Sequence, residues 1–158
     1  MSKQRGFTLT EVIITLVILG ILVVVGVPIV MNLLLSMRIH TAAEVMVSDI
    51  NAARSIASTT HDSIWVVFDT GTEEYSIYKG SSVSTRILIK NPMTQSDWIV
   101  TLQDPKYKGA DIISASFGSS SELLFDQWGD ATSGGTIILN NELTVQVTEL
   151  TGKTEILE

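Results

Sequence analysis

The stretch Lys3-Gln4-Arg5-Gly6-Phe7-Thr8-Leu9-Thr10-Glu11 sets two basic residues, a glycine, an aromatic residue and one carboxylate directly ahead of a long uncharged run. A carboxylate in a membrane-length segment costs about 2.5–3.5 kcal/mol at the helix centre and less towards an end, so its presence calls for a partner or a function. Glu11 lies four residues after Phe7. Cleavage between Gly6 and Phe7 would expose a new amino terminus able to pair with Glu11 of the same or a neighbouring copy, holding adjacent helices in register.

Signals for other chemistry are poor. The chain has no HExxH, GxGxxG or GxSxG, no cysteine, and two histidines, His40 and His61, without metal-ligand companions. Gly129 to Thr136, GDATSGGT, has the glycine spacing of a phosphate loop, but Gly135 stands where the lysine must be and a strand follows, so it reads as a plain loop. Asp126 and Asp130 flank Trp128 in an oxygen-rich loop; two carboxylates without regular ligand spacing fit a surface loop better than a calcium site. Trp65 and Trp98, inside strand-like runs, read as core, and Trp128 as the better contact residue. No catalytic residue, metal or cofactor is expected.

The elements that must position the N-terminal residues follow from composition. The chain has 158 residues, of which only 17% are charged, which excludes a disordered, solvating polypeptide and leaves room for about one globular unit. Its net charge is −7, and without Lys3 and Arg5 eight basic residues face seventeen acidic ones; this balance disfavours broad binding to nucleic acid or anionic lipid. From Val12 to Val30 the sequence is VIITLVILGILVVVGVPIV, which as a helix would span about 28 Å, the thickness of a bilayer core. Lys3 and Arg5 precede it and the next basic residue is Arg38, so the positive-inside rule puts the N-terminus in the cytoplasm and the rest outside. A secretory signal peptide would have a shorter apolar core and a small-residue cleavage site beyond it. Pro28 removes one helix hydrogen bond and is expected to kink or loosen the helix.

In this leader and helix the chain resembles type IV pilins and type II secretion pseudopilins: a basic leader ending in Gly6, Phe7 as mature first residue, Glu11 as its fifth, a long apolar helix, and Pro28 near its end. The resemblance implies that a prepilin peptidase cuts after Gly6 and methylates the amino group of Phe7. It also implies that Glu11 serves assembly and that the mature subunit waits in the bacterial inner membrane before joining a periplasmic filament. Residues 1–6 are then a leader, 7–35 a transmembrane and filament-core helix, 36–60 its amphipathic continuation, and 61–158 a β-rich periplasmic domain. An uncleaved signal anchor on an unrelated enzyme or binding module is the competing reading, and the missing catalytic motifs count against it.

Beyond the span, Ile39, Ala42, Ala43, Met46, Ile50, Ala53, Ile56 and Ala57 recur at three- and four-residue steps, the pattern of an amphipathic helix that fades at Ser58-Thr59-Thr60-His61. Short β-rich runs follow: 63–69, 74–79, 85–90, 97–103, 111–117, 122–126, 136–140, 143–149 and 153–157. Dense short strands imply antiparallel sheets covered by the helix stripe, an α+β architecture. Asn140-Asn141 and Thr151-Gly152 read as tight turns of a closing meander.

Ala53-Arg54, Trp65-Val66-Val67-Phe68-Asp69, Phe125 followed by Gly129, and Thr151-Gly152 resemble the layout of the H-type pseudopilin and FimT-like minor pilin family (GspH/FimT). Many major pilins close their C-terminal region with a disulfide, which this chain cannot form. The resemblance implies a non-enzymatic minor subunit whose partners are other pilins or pseudopilins, the prepilin peptidase and an inner-membrane assembly platform driven by an external ATPase. The machine is a type II secretion pseudopilus or a type IV pilus. Some FimT-like proteins bind DNA, and Lys106-Tyr107-Lys108 is a small basic patch with an aromatic residue; its acidic neighbours Asp104 and Asp111 favour a solvated turn over nucleic-acid binding.

Overall fold

The computed structural model describes residues 8–157. One helix, α1 (Leu9–Thr60), is followed by nine strands: β1 (Ile64–Asp69), β2 (Glu74–Lys79), β3 (Ile87–Leu88), β4 (Ile99–Thr101), β5 (Ile112–Phe117), β6 (Glu122–Phe125), β7 (Gly135–Leu139), β8 (Leu143–Val147) and β9 (Thr154–Leu157). The chain divides into two units, residues 1–36 and 37–158.

In the first unit the helix is apolar on all sides and no side chain described there is buried; Leu16, Leu22, Val24 and Ile29 are all more than half exposed. A helix hydrophobic all round belongs in a nonpolar medium. It is long and apolar enough to cross a membrane. α1 runs through Pro28 without interruption.

In the second unit α1 has two distinct faces. Ile39, Ala42, Ala43, Met46, Ile50, Ala53 and Ala57 are buried, while Ile56 is only half-buried. Four alanines on that stripe allow close approach of the β structure, and the contact is tied by the Tyr75 hydroxyl, which donates to Asp49 Oδ2 at 2.7 Å. The helix stops at His61, whose φ of 54° is the left-handed conformation of a helix C-cap.

The strands form two antiparallel sheets, one ordered β3-β2-β1-β6 and the other β5-β7-β8-β9. β3 and β4 share one edge of β2: β3 pairs with Tyr78 and Lys79, and β4 with Glu74 to Ser76. Alternation sends Ile64, Val66 and Phe68 of β1, Tyr75 and Ile77 of β2, and Leu123 and Phe125 of β6 into the core. The second sheet contributes Ile137, Leu139, Leu143, Val145 and Val147. Register shifts between Ile112 and Ser114, so alternation fails in β5. Between β7 and β8 the Glu142 N–H returns to the Leu139 carbonyl at 2.9 Å, and Asn140 and Asn141 have φ of 51° and 56°, the pair of left-handed residues a type I′ turn requires.

Expected and observed strands agree in number and order, but two contract sharply. The run 85–90 becomes Ile87–Leu88 and 97–103 becomes Ile99–Thr101. The cause is that both lie along a single six-residue neighbour. Arg86 also draws the first of them away towards β6, pairing with Glu122 through Nη1–Oε2 at 2.8 Å and Nη2–Oε1 at 3.0 Å. Its guanidinium lies 5.5 Å from the Trp65 ring centre and 5.0 Å from that of Tyr78. Trp65 is accordingly half-buried, its indole N–H donating to the Gly80 carbonyl at 2.8 Å, whereas Trp98 is buried as expected of a core residue.

Candidate functional site

The residues assigned chemistry at the N-terminus divide at the edge of the described chain. Gly6 and Phe7, the expected cleavage and methylation positions, lie outside the described residues. Glu11 lies in the first turn of α1. Its Oε2 accepts from the Thr8 N–H at 3.0 Å and the Thr8 hydroxyl at 3.1 Å, while the Glu11 N–H donates to Thr8 Oγ1 at 3.3 Å. This is a capping box, in which residues three apart satisfy each other's free backbone donors at a helix start. The Thr8-x-x-Glu11 spacing is the sequence signature of such a cap, which a reading of Glu11 from its membrane context alone misses. The carboxylate therefore engages the N–H of Thr8, which follows Phe7 in sequence.

In the second unit the separated residues Arg54, Phe125, Gly129 and Gly152 come together. Arg54 projects from the penultimate turns of α1 and donates from Nε to the Gly129 carbonyl at 3.2 Å. A Cβ on Gly129 would lie 3.0 Å from the Arg54 carbonyl oxygen and 3.1 Å from Ser58 Cβ. A Cβ on Gly152 would lie 2.8 Å from Phe125 Cε1 and 3.1 Å from Arg54 Cδ. Both glycines have positive φ, 83° and 60°, so only residues without a side chain allow two loops to close over the arginine stem without strain. Phe125, fully buried, forms the floor. The loops are linked to each other as well, Leu150 N–H donating to the Ala131 carbonyl at 3.0 Å.

Next to this cradle Trp128 is 65% exposed, with its ring edge-on to His61 at 5.8 Å. The expected contact role thus falls on an accessible side chain. Asp126 Oδ1 accepts from the backbone N–H of Trp128 at 2.8 Å and of Asp130 at 3.0 Å, so the carboxylate builds the turn that presents the indole. The basic patch is also altered by folding. Tyr107 is 3% exposed, with Lys106 Nζ 4.5 Å from its ring centre, so its ring is not an open platform for a nucleobase. Lys106 is held above the ordinary lysine range chiefly by its contact with Tyr107.

The sequence matches two families. Residues 1–27 match the prokaryotic N-terminal methylation motif. Residues 42–151, well over half the chain, match type II transport protein GspH. The chain belongs to the GspH family. No curated protein matches the sequence. Two solved structures of the minor pseudopilin EpsH from the type II secretion system of Vibrio cholerae share the fold of this GspH-family chain. Each has a TM-score of 0.58 and covers 76% of this chain; identities are 11% and 12%, with 95% and 93% of the EpsH chains covered. At that identity the likeness speaks for the fold, a helix packed on antiparallel sheets, and the family match carries the rest. Arg54, Phe125 and Gly129 of the cradle fall inside the matched GspH segment and Gly152 one residue beyond it, and Glu11 and Pro28 fall respectively inside and just beyond the methylation motif.

Proposed function

We propose that this chain is a minor pseudopilin: a structural, non-enzymatic subunit of the type II secretion pseudopilus that supports protein export across the outer membrane. The observation that carries the reading is the joining, in one chain, of an N-terminal methylation motif to a GspH segment over residues 42–151. In this reading the precursor inserts once in the inner membrane, N-terminus cytoplasmic, and residues 61–158 fold in the periplasm. A prepilin peptidase removes residues 1–6 and methylates Phe7. Residues 7–35 then leave the bilayer for the filament core, where other subunits' helices replace lipid, an exchange of one apolar environment for another that needs little hydrophobic driving force. Glu11 compensates the amino group of a neighbouring Phe7, Pro28 acts as a hinge during extraction, and residues 36–60 couple the core helix to the outer fold. The assembly platform and its ATPase supply the work.

Secretion and filament assembly in the native host test the proposal. Deleting the chain's coding sequence should abolish or reduce export of the secreted proteins while leaving their synthesis intact, and the wild-type chain should restore it. Unchanged secretion, with loss of a surface pilus instead, would move the chain to the type IV pilus, whose minor pilins share every N-terminal feature used here. Restoration by a chain with an uncleaved leader would exclude both.

A further inference from the structure

Beside the cradle an open recess of about 370 Å³ is lined by Asn51, Arg54, Ser55, Ser58 and Trp128. The first four follow i, i+3, i+4, i+7 spacing and so share one face of α1. Arg54 uses Nε on the Gly129 carbonyl, but its two Nη nitrogens donate to no described residue. No carboxylate among the described residues comes within 4.0 Å of it, as is also true of Arg38, Lys90, Lys106 and Lys108, whereas Lys79, Arg86 and Lys153 are paired. Of the two carboxylates in the Gly129 loop, Asp126 is engaged by backbone N–H groups, and Asp130, next to Gly129 in sequence, makes no ion pair with Arg54. In a chain of net charge −7 this is a half-buried guanidinium with its stem clamped and its fork open, beside an exposed indole.

We propose that this recess docks a carboxylate side chain, aspartate or glutamate, from a different subunit of the filament, an inference that rests on the reading of the chain as a filament subunit. The fork of Arg54 matches a carboxylate bidentately. Clamping at Nε fixes its direction, so little side-chain freedom remains to be lost on docking. Trp128 supplies the apolar wall that excludes water from the pair, the arrangement of arginine and tryptophan that dominates protein interfaces. Asn51 and Ser55 add neutral hydrogen-bonding groups at the rim. A second copy of this chain would bring another −7 towards the site, which disfavours self-association through it.

The test uses the full chain in native membranes. An Arg54→Lys variant keeps the charge and supplies an amine that a zero-length carbodiimide couples only to a touching carboxylate; Ser55→Lys does the same with Arg54 intact, should the first variant fold poorly. The expected result is an amide from the substituted position to an Asp or Glu of another pilin-like subunit, falling about ten-fold or more in a Trp128→Ala background. In parallel, Leu16→Cys, the chain's sole thiol, reports helix incorporation in the filament. Helix crosslinks without an amide at either lysine overturn the docking site and leave the filament reading standing. Loss of both sets overturns both. An amide only to a second copy of this chain, to a non-pilin protein, or one indifferent to Trp128→Ala also overturns the docking site.

Discussion

Gly152 and Gly118 have nearly the same backbone conformation, φ of 60° and 63°, in different surroundings. A Cβ on Gly118 meets only Ser133 Cβ at 3.8 Å, an ordinary contact, whereas one on Gly152 meets the Phe125 ring at 2.8 Å and the Arg54 stem at 3.1 Å. Alanine at either position incurs the left-handed backbone term, about 1–2 kcal/mol, and gains the same small benefit from a less flexible unfolded chain. Only at Gly152 does it also force a buried ring and a clamped arginine apart, adding about 1–3 kcal/mol by analogy with overpacked cores. The difference between the variants therefore isolates closure of the cradle. All three tryptophans lie in the second unit, so fluorescence of the full chain in detergent during urea unfolding reports that unit alone. With a slope of about 1–3 kcal/mol per molar urea, Gly152→Ala should unfold at a midpoint lower than Gly118→Ala by roughly 0.3–3 M. Equal midpoints would refute the claim that Gly152 is required by the packing of Phe125 and Arg54.

Further outcomes follow from other contacts. Arg86→Ala should cost about 2–3 kcal/mol, because Glu122, only 22% exposed, loses a bidentate partner; Arg86→Lys should cost less, and both are read from the same urea midpoints. Tyr75 is pushed well above 10 by burial and by the Asp49 charge, so its stabilising contribution is complete below pH 10 and is lost as pH rises through the folded value. Tyr75→Phe should then flatten the alkaline loss of stability by up to about 1.4 kcal/mol per pH unit above pH 10, measured by urea titration at each pH. In the native host Gly6→Val should give a membrane-inserted but unprocessed precursor, seen by gel mobility and N-terminal mass. Glu11→Val should be processed yet assemble poorly, measured by recovery in sheared filament fractions.

Local pattern carried the order of elements far. Alternation in Ile64-Trp65-Val66-Val67-Phe68 and Leu143-Thr144-Val145-Gln146-Val147 marks strands because one face of each is buried, and the alanine-rich stripe from Ala42 to Ala57 marks the packed helix face. Sheet order was not legible: β6 joins β1 across more than fifty residues, and nothing in either strand states that pairing. Strand length failed where a neighbour limits it, as at β3 and β4, and alternation failed at the bulge after Ile112. Tyr107 illustrates the same limit in the site, since an aromatic residue between two lysines looks exposed until tertiary contacts bury it. Arg54, Gly129 and Gly152 could each be noticed as motif residues, but their meeting depends on loops brought together by both sheets. Thr8 was legible as a cap and overlooked, because the chemistry of Glu11 offered a more specific role.

The central claim, that the chain is a processed filament subunit of the secretion machine, is tested most directly by crosslinking native membranes, purifying the subunit, and determining by mass spectrometry both its own N-terminus and the proteins attached to it. The account predicts a chain beginning at N-methylated Phe7, crosslinked to secretion pseudopilins. A chain that retains the leader from Met1, attached to no pilin-like protein, would contradict it.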